Sequence, residues 1–165
     1  MNTFLTITGI ALAAFAIALA FAPRAEIVTE VTIDATPGEV WSVLANPQGY
    51  SEWNPFLVRM EGEIAEGAPL TNTMRPSGGG SEMTFRPVVL KVTPDRELRW
   101  LGRLFVPRLF DGEHYFLLDA RDGATHLTHG ERFHGVGLWF IDVGRFRADF
   151  EAMNAALKVR VERGG

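Results

Sequence analysis

The sequence has no cysteine, so disulfide bonds, a thiol nucleophile and a lipid-modified cysteine anchor are all excluded. It also has no excess of positive charge, because 16 Lys and Arg stand against 20 Asp and Glu, and no basic cluster alternates with aromatic residues. A nucleic acid is therefore not an expected partner. Charged side chains are missing altogether before Arg24, which separates the beginning of the chain from the rest.

Several catalytic and cofactor-binding motifs are absent as well. The glycine-rich run at residues 77–81 is not followed by the Gly-Lys-Ser/Thr of a phosphate-binding loop, so a hairpin connection is the better interpretation. No serine stands in a Gly-x-Ser-x-Gly elbow, and no dinucleotide-binding fingerprint is present. We therefore expect neither serine-type nucleophilic catalysis nor a bound cofactor.

The first part of the chain is a long apolar run. It extends from Phe4 to Ala22 and is broken only by two threonines and a glycine. As a helix, these roughly 19 residues would be about 28 Å long, close to the thickness of the hydrocarbon core of a bilayer. We predict a single transmembrane helix, with a membrane anchor at residues 1–23 and one domain at residues 24–165.

A cleaved secretory signal is the alternative for this segment. Residues 20–22 offer a small-x-small cleavage site, although no Lys or Arg precedes the apolar run. Arg24 is the basic residue nearest the run, so the positive-inside tendency favours a domain on the cytoplasmic side of the membrane. Small residues four positions apart, such as Gly9 and Ala13, would let the helix pack against another membrane protein.

The remainder of the chain has the size of a single domain. A capping box at Thr36 and Glu39 predicts a short helix, and apolar residues three and four positions apart between Val143 and Leu157 predict a long C-terminal helix. The order of the elements predicts an α+β fold, in which a curved antiparallel sheet of about seven strands wraps on the C-terminal helix. Alternation of apolar and polar residues predicts the strands at residues 24–34, 55–60, 69–75, 82–92, 97–103, 111–120 and 123–134.

The last two predicted strands carry the most informative residues. Side chains alternate between the two faces of a strand, so His114 and Phe116 share the inner face of one strand. On the other strand, the inner face carries His129, Glu131 and Phe133. Two imidazoles and a carboxylate inside an apolar interior would need hydrogen-bond or ion-pair partners to offset the cost of burying them. They could form an acid–base pair in which the carboxylate orients an imidazole, a metal site, or a hydrogen-bonded cluster in the wall of a ligand cavity. We favour the cluster and predict no bound metal.

Aromatic residues elsewhere have two interpretations. Trp41, Trp53, Trp100 and Trp139 could line a ligand cavity or fill the core. The segment at residues 104–110 is too apolar for an ordinary hairpin loop, which indicates either buried strand ends or a gate that touches a ligand or a membrane.

The domain resembles the helix-grip superfamily of START-like lipid-transfer domains, polyketide cyclases/dehydrases and plant pollen-allergen proteins, often called SRPBCC. The resemblance covers the chain from about Arg24 to the end and leaves the apolar start outside. It is carried by the motifs Ala35-Thr36-Pro37-Gly38-Glu39-Val40-Trp41, Tyr50-Ser51-Glu52-Trp53-Asn54-Pro55, Glu97-Leu98-Arg99-Trp100-Leu101-Gly102, Asp111-Gly112-Glu113-His114-Tyr115-Phe116 and Thr128-His129-Gly130-Glu131-Arg132-Phe133.

This resemblance implies an apolar cavity between the sheet and the long helix. We therefore predict a membrane-tethered binding domain for a hydrophobic small molecule such as a lipid, an isoprenoid quinone or a polyketide-like compound. An enzyme of the cyclase, dehydratase or hydrolase type, with His129, Glu131 and His114 as acid–base groups, is one alternative. An accessory subunit docked through its N-terminal helix to a membrane complex is another. The predicted ligand contacts are Trp53, Trp100, His114, Phe116, His129, Glu131, Phe133, Phe146 and Phe150.

Overall fold

The computed structural model describes residues 2–164 and, within them, the side chains of all but residues 2, 3 and 5. Within residues 2–164 the chain forms four α-helices: α1 (Asn2–Ala20), α2 (Pro37–Leu44), α3 (Tyr50–Trp53) and α4 (Arg147–Glu162). Short 3-10 turns lie at Pro47–Gly49, Val136–Trp139 and Val143–Phe146. The strands are β1 (Arg24–Ile33), β2 (Leu57–Gly62), β3 (Leu70–Met74), β4 (Met83–Phe85), β5 (Val88–Thr93), β6 (Glu97–Arg103), β7 (Asp111–Arg121) and β8 (Ala124–His134).

The strands form two antiparallel sheets, where the sequence predicts one sheet of about seven strands. The larger sheet has the order β1-β8-β7-β6-β5, and the smaller has the order β2-β3-β4. The predicted strand at residues 82–92 divides at Arg86 and Pro87, because a proline has no N–H for the hydrogen-bond ladder. Hydrogen bonds from Leu70 N–H to the Pro87 carbonyl (2.8 Å) and from Val89 N–H to the Ala68 carbonyl (2.9 Å) join the sheets at this break.

The C-terminal helix packs on the concave side of the larger sheet, chiefly against β1. It begins at Arg147, because the four residues before it form a 3-10 turn. Phe150, Met153 and Leu157, spaced three and four positions apart, are fully buried against the sheet. The predicted α+β fold with a curved antiparallel sheet and a C-terminal helix is therefore confirmed.

Helix α2 begins with the predicted capping box. The Thr36 hydroxyl accepts the Glu39 N–H at 3.4 Å, and the Glu39 carboxylate accepts the Thr36 N–H at 2.8 Å. Each bond satisfies an N–H group that the first turn of a helix leaves without a partner. The helix then buries Val40 and Leu44 in the core.

The predicted transmembrane anchor is not supported. Helix α1 ends at Ala20, two residues before the end of the apolar run, and a turn then leads through Pro23 into β1. Among the residues that the structure describes, no helix combines the length and the apolar character needed to cross a membrane.

Candidate functional site

A cavity of about 330 Å³ lies between the smaller sheet, the open ends of β6 to β8 and the 3-10 turn at Val143–Phe146. A shallower surface groove of about 480 Å³ runs along Pro23 to Ala25 and residues 138–143, away from the buried titratable groups. The walls of the cavity are mostly apolar, and its polar side chains are Thr84, Arg103, His114, Glu131 and Arg145. The apolar lining comprises Phe56, Leu57, Met74, Met83, Phe85, Leu104, Phe110, Phe133, Ile141 and Phe146.

A pair of glycines makes room for the cavity. Gly102 on β6 and Gly112 on β7 are direct cross-strand partners, and both line the cavity. A Cβ atom on Gly112 would overlap the Glu131 carboxyl group, whereas one on Gly102 would find Phe85 at an ordinary 3.7 Å. Gly112 therefore creates the space for the Glu131 side chain, and Gly102 borders empty volume.

The strand register brings together the three titratable residues predicted from the sequence. On the paired strands β7 and β8, His114 lies opposite Glu131, and Phe116 lies opposite His129. His114 and Glu131 line the cavity. His129 is fully buried behind them.

These residues belong to a longer chain of hydrogen bonds. The two imidazoles meet Nε2 to Nε2 at 2.8 Å, and His129 Nδ1 lies 2.7 Å from Asn154 Oδ1 on α4. Asn154 Nδ2 donates to Thr29 Oγ1 on β1 at 2.8 Å, and the Thr29 hydroxyl donates to the His129 main-chain carbonyl at 3.0 Å. The chain thus connects the cavity wall to both β1 and α4.

Neither Asn154 nor Thr29 was predicted from the sequence to belong to the site, and the sequence left open whether Glu131 orients His114 or His129. Asn154, rather than Glu131, orients the His129 ring. Glu131 instead lies beside His114, with Oε2 at 3.5 Å from Nδ1. The signal for the missed residues is a polar side chain on an otherwise apolar face: Asn154 follows Met153, and Thr29 lies between Ile27 and Val31.

The geometry does not suit a metal ion. Each imidazole directs its Nε2 at the other, so those nitrogen atoms are already occupied by a hydrogen bond. Within residues 2–164, no group of three or more His, Asp or Glu side chains is arranged to hold a metal ion.

Burial keeps the three titratable groups uncharged at neutral pH. It lowers the pKa of His114 to about 3. It also lowers the pKa of His129 well below the usual value, and the neighbouring His114 adds to that effect. Burial raises the pKa of Glu131 to about 8. The cavity therefore has a carboxylic acid and a neutral imidazole at its polar end.

Aromatic rings hold the imidazoles in place. The Trp100 ring stacks on His114 at 4.8 Å with 14° between the planes. Phe150 stacks on His129 at 4.4 Å with 1° between the planes, and Phe116 covers the ring at 4.5 Å. This packing fixes the ring planes, and with them the directions of the hydrogen bonds.

The predicted ligand contacts divide into a cavity wall and a core layer. His114, Glu131, Phe133 and Phe146 line the cavity. Trp100, Phe116, His129 and Phe150 are fully buried outside that lining, and Trp53 packs on Tyr50 with ring centroids 5.1 Å apart. The cavity consequently lies beside the turn before α4, because Phe150 and Met153 fill the space under the helix itself.

The apolar segment at residues 104–110 reaches the edge of the cavity. Leu104 and Phe110 line it, whereas the Phe105 side chain is 87% exposed and its backbone has a φ of +56°. Residues 104–108 are exposed and residues 109 and 110 are half-buried, and a gate at this segment stays a prediction.

Fold and cavity together define a ligand-binding domain of the helix-grip type. The family model described as polyketide cyclase / dehydrase and lipid transport matches residues 24–162, so the chain belongs to that family. No curated protein matches the chain in sequence.

Solved structures with the same fold include proteins from three different organisms. Protein CV1439 from Chromobacterium violaceum has a TM-score of 0.67 and 15% identity, over 83% of this chain and 96% of that one. The Zhui aromatase/cyclase from Streptomyces sp. R1128 has a TM-score of 0.65 and 19% identity, over 86% of this chain and 95% of that one. Norcoclaurine synthase from Thalictrum flavum, in complex with dopamine and hydroxybenzaldehyde, has a TM-score of 0.66 and 13% identity, over 90% of this chain and 92% of that one.

Proposed function

We propose that the protein binds a hydrophobic small molecule in the cavity, with a polar atom of the ligand at Glu131 and His114. A lipid, an isoprenoid quinone or a polyketide-like compound has this combination of a large apolar part and a small polar group. The observation that carries the proposal is an apolar cavity of about 330 Å³ with one uncharged polar end. A few convergent polar groups in an apolar pocket are typical of small-molecule sites.

The dimensions of the cavity limit how much of a ligand it can enclose. Its volume lies near the lower end of the range for small-molecule sites, which is about 300 to 1,000 Å³. A bicyclic or tricyclic ring system would fill it, and a longer chain would leave between Met83 and Leu104, which are 43% and 47% exposed.

Arg145 supplies a cation at the rim of the cavity. Arg103 is already paired with Asp111 at 3.0 Å, so its charge is compensated within the protein. The Arg145 guanidinium lies over the Phe146 ring at 4.8 Å and has no ion-pair partner among residues 2–164. An acidic group on the ligand would find its counter-ion there.

The experiment titrates the neutral fluorescent probe N-phenyl-1-naphthylamine into the wild type and two variants. Gly102→Leu places a side chain in the cavity, and Gly78→Leu adds the same atoms where no other atom lies within 4 Å. We expect saturable binding to the wild type and to Gly78→Leu, and at least a roughly tenfold weaker affinity for Gly102→Leu. Thermal unfolding checks that both variants fold.

Equal affinity in all three proteins would contradict binding in the cavity. Failure of the wild type to bind this probe or any of a panel of apolar compounds would contradict the binding function itself.

An acid–base enzyme is the second candidate function. The specific observation in its favour is the position of a carboxylic acid 3.5 Å from an imidazole nitrogen on the cavity wall. A binding site without chemistry needs polar groups there but has no need for a carboxylic acid beside a neutral imidazole.

A further inference from the structure

The direction of every hydrogen bond behind the cavity follows from one main-chain carbonyl. The His129 carbonyl can only accept, so the Thr29 hydroxyl must donate to it across 3.0 Å. The Thr29 oxygen then accepts from Asn154 Nδ2 at 2.8 Å, which leaves Asn154 Oδ1 facing His129 Nδ1 at 2.7 Å. Because the amide oxygen has no proton, His129 Nδ1 must carry one.

The same logic fixes the proton on His114. His129 is fully buried and neutral, so a proton on Nδ1 leaves a lone pair on its Nε2. His114 Nε2 lies 2.8 Å from that lone pair and must donate to it. His114 is neutral too, and its Nδ1 therefore carries a lone pair on the side of Glu131.

The proton at the cavity end consequently belongs to Glu131. Burial favours the neutral carboxylic acid, which places an O–H group next to the His114 lone pair. The two atoms are 3.5 Å apart, longer than an ordinary hydrogen bond, so both can contact a ligand instead. Both residues line the cavity.

We propose that Glu131 and His114 act as acid and base that interconvert the keto and enol forms of a ketone bound in the cavity. The proposal rests on the binding function proposed above and adds the substrate class and the reaction. Glu131 gives its proton to the carbonyl oxygen while His114 Nδ1 takes a proton from the adjacent carbon. The C–H electron pair becomes the new carbon–carbon double bond, and the carbonyl π pair forms the new O–H bond.

The step needs no oxidant, reductant or cofactor. It leaves a Glu131 carboxylate and a His114 imidazolium, and the proton on Nδ1 then returns to Oε2 to restore both groups. His129 and Asn154 are positioning residues in this scheme, because they keep the His114 lone pair directed at the cavity. Burial alone disfavours the imidazolium, but the Glu131 carboxylate formed in the same step lies 3.5 Å from His114 Nδ1, and the π face of Trp100 stacks on the ring, so both stabilise the transient positive charge.

Deuterium uptake at the α-carbon of 1-tetralone tests the proposal. The ketone is incubated with the protein in D₂O, the exchange is followed by mass spectrometry, and its affinity is measured separately by displacement of N-phenyl-1-naphthylamine. We expect the wild type to accelerate exchange and to saturate at the ketone concentration that saturates binding. Glu131→Gln keeps the shape of the side chain and should slow the exchange by about 10²-fold or more, with little change in affinity.

Gly78→Leu is the matched control, and it should exchange 1-tetralone at the wild-type rate. Tight binding of 1-tetralone without accelerated exchange, or equal exchange by Glu131→Gln, would overturn the acid–base proposal and leave the binding function intact. No binding of 1-tetralone by the wild type, if other apolar compounds do bind, would overturn the assignment of a ketone as the substrate class.

Asn154→Asp tests the positioning role through the pH profile. A carboxylate next to His129 Nδ1 would favour a doubly protonated His129, whose Nε2 proton forces the proton of His114 onto Nδ1 and removes the basic lone pair. We expect exchange to be lost at neutral pH and to recover as the pH rises and His129 loses its extra proton. Equal loss at every pH would show that Asn154 has a structural role only.

Discussion

Replacing Glu131 with Gln should remove a pH dependence of stability that this carboxyl group creates. Burial raises its pKa from 4.5 to about 8 in the folded protein, whereas the unfolded chain has the ordinary value. Between these two values the native state holds a proton that the unfolded state has released. The free energy of unfolding therefore falls as the pH rises from 4.5 to about 8, and the contribution of Glu131 is constant above that.

At lower pH the two histidines change the free energy of unfolding in the opposite direction. Burial lowers the pKa of His114 from 6.5 to about 3, and that of His129 falls well below 6.5. As the pH drops below 6.5, the unfolded state therefore binds protons that the native state does not bind, and stability falls. Taken together, these three groups make the protein most stable near pH 6.5, with the decline on the alkaline side due to Glu131.

The magnitude on the alkaline side follows from one proton. A difference of one bound proton changes the free energy of unfolding by about 1.4 kcal/mol per pH unit. Raising the pH from about 6.5 to about 8 should thus cost at most about 2 kcal/mol. The Glu131 side chain is 20% exposed, so solvent screening makes this figure an upper limit. In a protein of this size, that free energy corresponds to a fall in Tm of about 4 to 8 °C.

The assay is urea unfolding of the wild type and Glu131→Gln at about pH 6.5 and about pH 8. Comparing the two proteins cancels the contributions of all other titrating groups. The wild type should lose stability between the two pH values, and the variant should lose less by the amount given above. An identical loss in both proteins would mean that Glu131 is ionised throughout this range, and the assignment of its proton would then be wrong.

Two substitution experiments test other parts of the structure. Gly112→Ala should displace the Glu131 carboxyl group and lower thermal stability, whereas Gly102→Ala should leave the melting temperature unchanged, because only the first added methyl group meets another atom too closely. A similar melting temperature for both variants would contradict this difference. Thr36→Ala should cost about 1 kcal/mol in urea unfolding through loss of the helix cap, and an unchanged midpoint would count against it.

The meeting of the titratable groups could be predicted because their strands are joined by a tight turn. Asp122 and Gly123 separate β7 from β8, and both have positive φ values, +52° and +85°. A two-residue turn of this kind fixes the register of a hairpin, and Asp-Gly is one of its preferred sequences. The register then places His114 opposite Glu131, with side chains on one face. Alternation along two neighbouring strands was therefore sufficient to bring these groups together.

The partners of His129 could not be predicted, because they come from distant parts of the chain. Thr29 lies 100 residues before His129, and Asn154 lies 25 residues after it. A polar residue on an apolar face shows that a partner is needed, but its identity depends on how α4 crosses β1. From strand alternation alone Glu131 could orient either His114 or His129, and its carboxyl group lies beside the His114 ring.

The cavity has a different position from the one expected for the family resemblance. An amphipathic helix over a curved sheet predicts a space beneath the helix, but Phe150 and Met153 are fully buried there and neither lines the cavity. The empty volume lies instead beside the cross-strand pair of Gly102 and Gly112, where Gly112 leaves room for the Glu131 carboxyl group and Gly102 borders the cavity. Substitutions in the buried face of α4 should therefore change stability more than ligand affinity, whereas larger residues at Gly102 should change affinity more than stability. The cross-strand glycine pair is thus the sequence feature that best indicates the position of the cavity.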